Sequence, residues 1–393
     1  VTTQGNGLAP DQEVSIGEMH RQSEDKPLKP RSLAIDCLRG VAILAVMARH
    51  LPFSSTGTAR ALAPAWSYPP EPWPSIMNVG EYGVQLFLVI SGYCIHMRWA
   101  RQANLETTVD FWPFWKRRLV RLYPPYITAL ILTLVCAKIA HALPYKSTSE
   151  LLLDLFVLLT LTQNLTNASI RVGNGPFWSL ALEEQLYLLY FPLLTMRRRW
   201  GWPRALVVVA SVNLLWIFVC QQVSVPQGLF RAGPAYWLAW CLGAVVLEAH
   251  LGYVKLPKYL LSWTSFAVAF AVGLCLPHPW KDLGVTLSFG ILVGVTVGLD
   301  ARPRFQSSKC VRMLVWLGEI SFSVYLIHNL FFIAAKRLAV SLAVAPFAII
   351  WIRFSAGLLA GYCFYLAVER RFMLASRTIP VNLKLSSIPT QKE

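Results

Sequence analysis

The sequence predicts an all-α polytopic membrane protein with about ten transmembrane helices and both termini cytoplasmic. Hydrophobic residues make up 55% of the 393 residues and charged residues only 14%, whereas a water-facing shell needs about a quarter of the chain charged. The mean hydropathy of +0.48 also excludes intrinsic disorder for the bulk of the chain, because disordered segments lack apolar surface. The 36 Lys and Arg residues fall mostly into alternate connections between apolar runs, as the positive-inside rule requires. The net charge of +16 is therefore topological and does not indicate a nucleic-acid partner.

Apolar runs of spanning length lie at 38–53, 79–97, 120–143, 177–196, 205–221, 235–250, 260–276, 283–300, 315–335 and 344–367. A further run at 151–163 is only about 13 residues long, the length of an interfacial or re-entrant segment. It falls in an outer loop, 144–176; letting it cross would put Arg197–Arg199 outside, against the charge bias. The connections 98–121, 197–204, 251–259 and 301–313 are then cytoplasmic. Residues 1–32 and 376–393 read as flexible cytoplasmic tails around a membrane domain at 33–375, and the first tail lacks the apolar core of a cleavable signal. Asn164-Leu165-Thr166 and Asn167-Ala168-Ser169 fit the glycosylation sequon. The eight Cys residues are scattered without a C-x-x-C, so neither a zinc site nor a disulfide framework is expected.

Charges inside apolar spans are costly and mark sites by default. Arg39 and His50 are 11 residues apart, three helical turns plus about 20°, so they share a face roughly 16 Å apart. An Arg can bind phosphate through paired hydrogen bonds, and a His works as a general base near neutral pH. A topology anchor and a helix cap account for the same spacing. Arg118 and Arg121 share a face at i, i+3, either to hold an anion or as an ordinary cluster for anionic lipid. Glu183 and Glu184 point about 100° apart, so one can face a polar cavity while the other lies toward the boundary; a structural ion pair is the plainer reading. Gly80, Gly83 and Ser91-Gly92-Tyr93 allow close helix packing. His328 reads most simply as a hydrogen-bonded packing residue, and His96, His141, His250 and His278, at span ends, as interfacial.

Together these segments resemble the acyltransferase-3 family of membrane-bound O-acyltransferases. Ile35-Asp36-Cys37-Leu38-Arg39-Gly40 is similar to the family's LDGLRG opening, and Arg39-x10-His50 to its Arg-x10-His pattern. Gly83 to Tyr93 resembles GVDLFFVLSGF, Arg117-Arg118-x-x-Arg121-x-x-Pro124 the cytoplasmic basic motif, and Trp178-Ser179-Leu180-x-x-Glu183-Glu184-Gln185-x-Tyr187 the WSLxxEEQFY element. Ser321 to His328 resembles SYSLYLxH, and Glu369-Arg370 the closing ER. The likeness runs from about residue 33 to 372. Gln85 stands where the family carries an acid, and Asn329-Leu330 replaces the usual x-Pro.

The resemblance implies an enzyme of the plasma or inner membrane that transfers an acyl group, most often acetyl, from cytoplasmic acyl-CoA to a hydroxyl of a carbohydrate. It implies no bound cofactor and no metal; acyl-CoA is the donor substrate, and the partners are the bilayer, the donor and a glycan or glycosylated acceptor. Catalytic roles fall to His50, Arg39 and Glu184. Arg118 and Arg121, with Arg39, are expected to hold the donor's phosphates; Asp36, Ser91, Trp178, Ser179, Glu183, Tyr187 and His328 are expected around the cavity and acceptor. No soluble esterase-like domain is expected after residue 372. The alternatives are a small glycosylated metabolite such as a macrolide as acceptor, or a polytopic transporter or flippase without chemistry. A transporter predicts a pair of interrupted helices at mid-membrane, which the sequence lacks.

Overall fold

The computed structural model describes residues 32–51, 79–102, 107–139, 147–166, 168, 174–223, 225, 227–257, 259–277, 280–379 and 383–385. They are almost entirely helical. Helix α1 (Leu33–His50) carries Asp36 in its first turn and Arg49 and His50 in its last, the polarity that complements the helix dipole. A 3₁₀ turn at Val79–Tyr82 leads into α2 (Gly83–Gln102). Helix α3 spans Phe111–Ile139 and continues through Pro124 and Pro125.

Helix α4 (Thr148–Leu159) is capped by Ser147, whose hydroxyl accepts from the Glu150 amide. Its 12 residues rise about 18 Å, short of a bilayer core of about 30 Å. The chain then turns through Leu161, at φ 54°. Helices α5 (Trp178–Gln222), α6 (Gly233–His250), α7 (Trp263–Cys275), α8 (Trp280–Val297), α9 (Lys309–Ser341) and α10 (Pro346–Phe364) follow. Helix α10 runs on through a π-helical turn, Tyr365–Glu369, into Arg370–Arg377.

Among the described residues, six stretches suffice by length and composition to cross a membrane: Phe111–Ile139, Gly175–Gln222, Gly228–His250, Trp280–Val297, Lys309–Ser341 and Ala348–Arg377. Three other expected spans, 38–53, 79–97 and 260–276, form α1, α2 and α7. These are more polar or, at 13 residues for α7, shorter. Helix α5 is bent back on itself. Gly201 breaks it at φ 72°, ψ 173°. Beyond the break, Asn213 Nδ2 donates to the Pro234 and Ala235 carbonyls (3.1 and 2.6 Å), while Gln185 Oε1, before it, accepts from the Gly233 amide at 2.7 Å. In a straight helix Gln185 and Asn213 would be about 42 Å apart. Both meet the start of α6, so the two arms form a helical hairpin, and the expected connection 197–204 is this reversal.

Within the expected C-terminal tail, Leu383–Leu385 pairs antiparallel with Thr107–Val109. Residues 1–31 lie outside the described residues. Two apolar clusters fill the interior: Tyr93, Trp99, Tyr190 and Trp240 anchor one, and Ile43, Met47, Tyr126, Phe177 and Phe332 the other. Helix α1 contributes to both, through Leu38 and Ala42 on one side and Ile43 and Val46 on the other. It meets α9 through a reciprocal glycine contact: a Cβ on Gly40 would run into the Leu314 carbonyl, and one on Gly318 into the Asp36 carbonyl. Small residues are what permit such approach where lipid removes the hydrophobic drive for association. Gly318→Val is expected to lower the unfolding midpoint in detergent, since overpacking costs about 1–3 kcal/mol, whereas Gly252→Ala, with open space around it, is the strain-only control.

Candidate active site

Helix α1 carries one group in its second turn and another at its C-terminus. Toward the N-terminus of α1, Arg39 Nη1 lies 3.3 Å from Asp36 Oδ1 and Nη2 donates to Cys94 Sγ at 3.6 Å. Asp36 is buried. Across from them, Glu183 accepts from the Tyr187 hydroxyl and from Ser91 Oγ at 3.1 Å, and Trp240 Nε1 donates to Ser91 Oγ at 3.4 Å. Arg39 lies within electrostatic reach of Glu183 and Tyr187.

Helix α3 adds two cations to this end. The Arg118 guanidinium sits over the rings of Phe114 and Tyr187, 5.5 and 5.4 Å from their centroids. Arg121 lies within reach of Arg39, Arg118 and Glu369. The π turn, a geometry often found at functional sites, turns Glu369 inward, where its Oε2 accepts from the Ser323 amide (3.1 Å) and hydroxyl (2.5 Å). Buried N–H groups of Arg117 (Nη1) and Arg121 (Nε) have no partner among the described residues. Donors left in this way cost about 1–3 kcal/mol each, and a polyanion would satisfy them.

At the C-terminal end of α1, His50 Nδ1 is 2.8 Å from the Val46 carbonyl. A carbonyl only accepts, so Nδ1 carries the proton. His328, fully buried, has its Nδ1 3.0 Å from the carbonyls of both Val324 and Tyr325; that nitrogen is therefore also protonated, and its Nε2 faces His50 Nδ1 at 3.4 Å. The two rings meet edge-on, with centroids 5.1 Å apart. This chain of bonds fixes the His50 tautomer and leaves its Nε2 lone pair unengaged among the described residues. Arg353, on α10, clamps the end of α1: Nη1 donates to the Leu51 carbonyl at 2.7 Å and Nη2 to the His50 carbonyl at 2.8 Å. These are two of the acceptors that a helix C-terminus leaves open. Arg353→Met is expected to destabilise the protein by about 2 kcal/mol or more and to reduce turnover in the population that stays folded, measurable by detergent melts beside activity.

His50 opens onto a cavity of about 1070 Å³ lined also by Trp178, Arg231, Tyr236, Asn213, Glu81 and Asp282. Gln85, in the place of the family's acid, lines it too and accepts from the Thr286 hydroxyl at 3.0 Å. The structure therefore brings Arg39, Asp36, Ser91, Glu183, Tyr187, Arg118 and Arg121 into one cluster, and His50 and Trp178 to the cavity, with His328 buried behind His50. Ser179 is not at the cavity: it is buried against the Tyr325 hydroxyl, which itself donates to the Pro176 carbonyl at 2.5 Å. Glu184 lines a separate cavity on the other side of α5.

Two further expectations are corrected by the structure. His96 is not interfacial: it is fully buried, its Nε2 2.9 Å from Glu248 Oε1, and Arg197 clamps the same carboxylate through Nε (2.9 Å) and Nη2 (2.6 Å). Asn164 is not a glycan acceptor as it stands, because its buried amide donates to Gln185 Oε1 and the Arg231 carbonyl. Asn167, His141 and His278 lie outside the described residues. Among the described residues no group of three or more His, Cys, Asp or Glu is placed to hold a metal.

A multi-pass membrane protein with half-buried arginines gathered around the N-terminal half of one helix and an oriented imidazole at its C-terminus is the class that this fold and site define. The chain belongs to the acyltransferase-3 family, whose acyltransferase domain matches residues 32–370, and it is accordingly a membrane acyltransferase. It is 27% identical over 326 residues to Acyltransferase MdmB of Streptomyces mycarofaciens, covering 77% of this chain and 80% of that one. It is 30% identical over 336 residues to O-acetyltransferase OatA of Staphylococcus aureus, covering 77% of this chain and 51% of that protein. Peptidoglycan O-acetyltransferase OatA of Listeria monocytogenes is 27% identical over 321 residues, 75% of this chain and 48% of its own length. The match thus spans about half the length of the OatA relatives. No solved structure matches the chain.

Proposed function

We propose that this protein moves an acyl group, most simply acetyl, from cytoplasmic acyl-CoA to a hydroxyl of a carbohydrate. The observation that carries this reading is the His50 tautomer: Nδ1–H is engaged by Val46 and His328, and Nε2 is left for the reaction. The CoA phosphates bind Arg118, Arg121 and Arg39, the arginine cluster that includes a buried N–H without a partner among the described residues. The pantetheine arm follows α1, whose rise from Arg39 to His50 is about 16 Å. His50 Nε2 then takes the proton of the acceptor hydroxyl as its oxygen attacks the thioester carbonyl. The tetrahedral intermediate collapses by breaking the C–S bond, and the departing CoA thiolate recovers the proton from the imidazolium. Direct attack is preferred to an acyl-histidine relay, because it needs no second nucleophilic step at His50. Glu183, held by Ser91 and Tyr187, keeps Arg39 in place.

The membrane domain in this reading is 33–375, with about ten crossings and both termini cytoplasmic. A cell-surface glycan is favoured as acceptor over a small glycosylated metabolite because the OatA relatives are named O-acetyltransferases, one of them of peptidoglycan. Sealed vesicles of both orientations, supplied with acetyl-labelled CoA on the outside, test the sidedness. Label enters glycan only in inverted vesicles if the donor site is cytoplasmic; equal labelling in right-side-out vesicles sinks this topology.

A further inference from the structure

The second cavity is not explained by acyl transfer. It encloses about 620 Å³ between α3, the end of α4 and the first arm of α5, with Trp115, Leu119 and Leu188 among its walls. Leu119, Leu159 and Leu188, all lining it, are exposed at 36%, 46% and 50%, so the cavity opens sideways through an apolar rim rather than toward a water-filled path. Its threonines are already satisfied: Thr160 Oγ1 donates to the Phe156 carbonyl at 2.9 Å and pairs with Thr162 Oγ1 at 3.0 Å. Glu184 is not satisfied. The residue is 8% exposed, lines the cavity, and its Oε2 is buried with no partner among the described residues.

A carboxyl group so deep in an apolar setting demands a hydrogen-bond partner. An isolated water does not supply one well, because a buried water needs 2–4 polar partners of its own and the neighbouring hydroxyls are engaged. The occupant that fits all three features has an apolar body for the walls, reaches the cavity from the hydrocarbon, and carries one small group able to donate to a carboxylate or accept from a carboxylic acid. We infer that this cavity is a lateral binding site for a neutral membrane lipid whose head is a free hydroxyl, recognised by Glu184. A zwitterionic phospholipid is excluded from that role by its bulky charged head, which would have to enter the apolar opening. Adjacent residues on a helix point about 100° apart, so the lipid site lies beside the Glu183–Arg39 cluster without being part of it, and its occupancy is readable without any turnover.

The test uses the full chain in phosphatidylcholine nanodiscs and a diazirine-bearing oleyl alcohol, with the corresponding methyl ether as the matched probe lacking the donor. The alcohol is expected to label peptides containing Trp115–Pro124 or Leu159–Thr162 at least tenfold more than the ether. Glu184→Leu abolishes that preference, and Leu188→Trp, which fills the opening and leaves the carboxyl in place, abolishes labelling of both peptides. Size-exclusion profiles of both variants report whether they are folded, and unlabelled dioleoylglycerol competes against the wild type. Equal labelling by alcohol and ether, or a preference that survives in a folded Glu184→Leu protein, overturns the assignment.

Discussion

His50→Ala is expected to lower kcat by about 10²–10⁴-fold, the usual contribution of a positioned general base, with little change in the KM for acyl-CoA. The split follows from geometry. The arginines that would hold the donor's phosphates stand at the opposite end of α1, about 16 Å of helix rise away, so removing the imidazole leaves donor binding intact. His50→Gln is the sharper variant: it keeps an amide able to reach the Val46 carbonyl but supplies no basic nitrogen at the Nε2 position. If position 50 acted only as a packing partner of His328, Gln would restore much of the turnover that Ala loses. Steady-state kinetics of both variants, with melts to confirm folding, check this. His328 enters the same prediction as a positioning group. Replacing it removes the contact that helps hold the Nδ1–H tautomer, and the loss is expected in kcat with the donor KM unchanged.

Arg121→Ala is expected to raise the KM for acyl-CoA on the order of tenfold to a hundredfold, the equivalent of one hydrogen bond to a charged group, with kcat changed far less. Its Nε is already buried without a partner among the described residues, and the anion supplies one. Arg121→Lys is not a rescue, because a single ammonium cannot reproduce the planar fork that matches phosphate. Dephospho-CoA derivatives discriminate further: loss of the 3′-phosphate should cost the wild type affinity and cost the Ala variant less, if Arg121 contacts that group. Arg118 is the control within the cluster. It is stacked on Phe114 and Tyr187, so its truncation also removes packing and is expected to lower the melting point, which separates it from Arg121.

Much of this was legible because helical periodicity is local. The 11-residue spacing of Arg39 and His50 places both on one face of α1 whatever surrounds it, and the short run at 151–163 forms a helix too short to cross. The Gly201 reversal was readable as a charged connection between two apolar runs. Long-range partners were not readable. His96 reads as interfacial from its place near the end of a span, yet its partner Glu248 lies 152 positions away and turns it into a buried ion-pair network. His328 meets His50 across 278 positions, and Arg353 meets its carbonyl across 303. The adjacent carboxylates show the same limit: sequence says that Glu183 and Glu184 point apart, but only the packing of α2 against α5 shows that Glu183 turns toward Arg39 and Glu184 away from it.

Release of free CoA thiol from acetyl-CoA by the purified protein, with an oligosaccharide acceptor present or withheld, tests the central claim most directly when wild type and His50→Ala are run side by side. The account predicts release that requires both the acceptor and His50. Acceptor-dependent release that persists in a folded His50→Ala protein would contradict it.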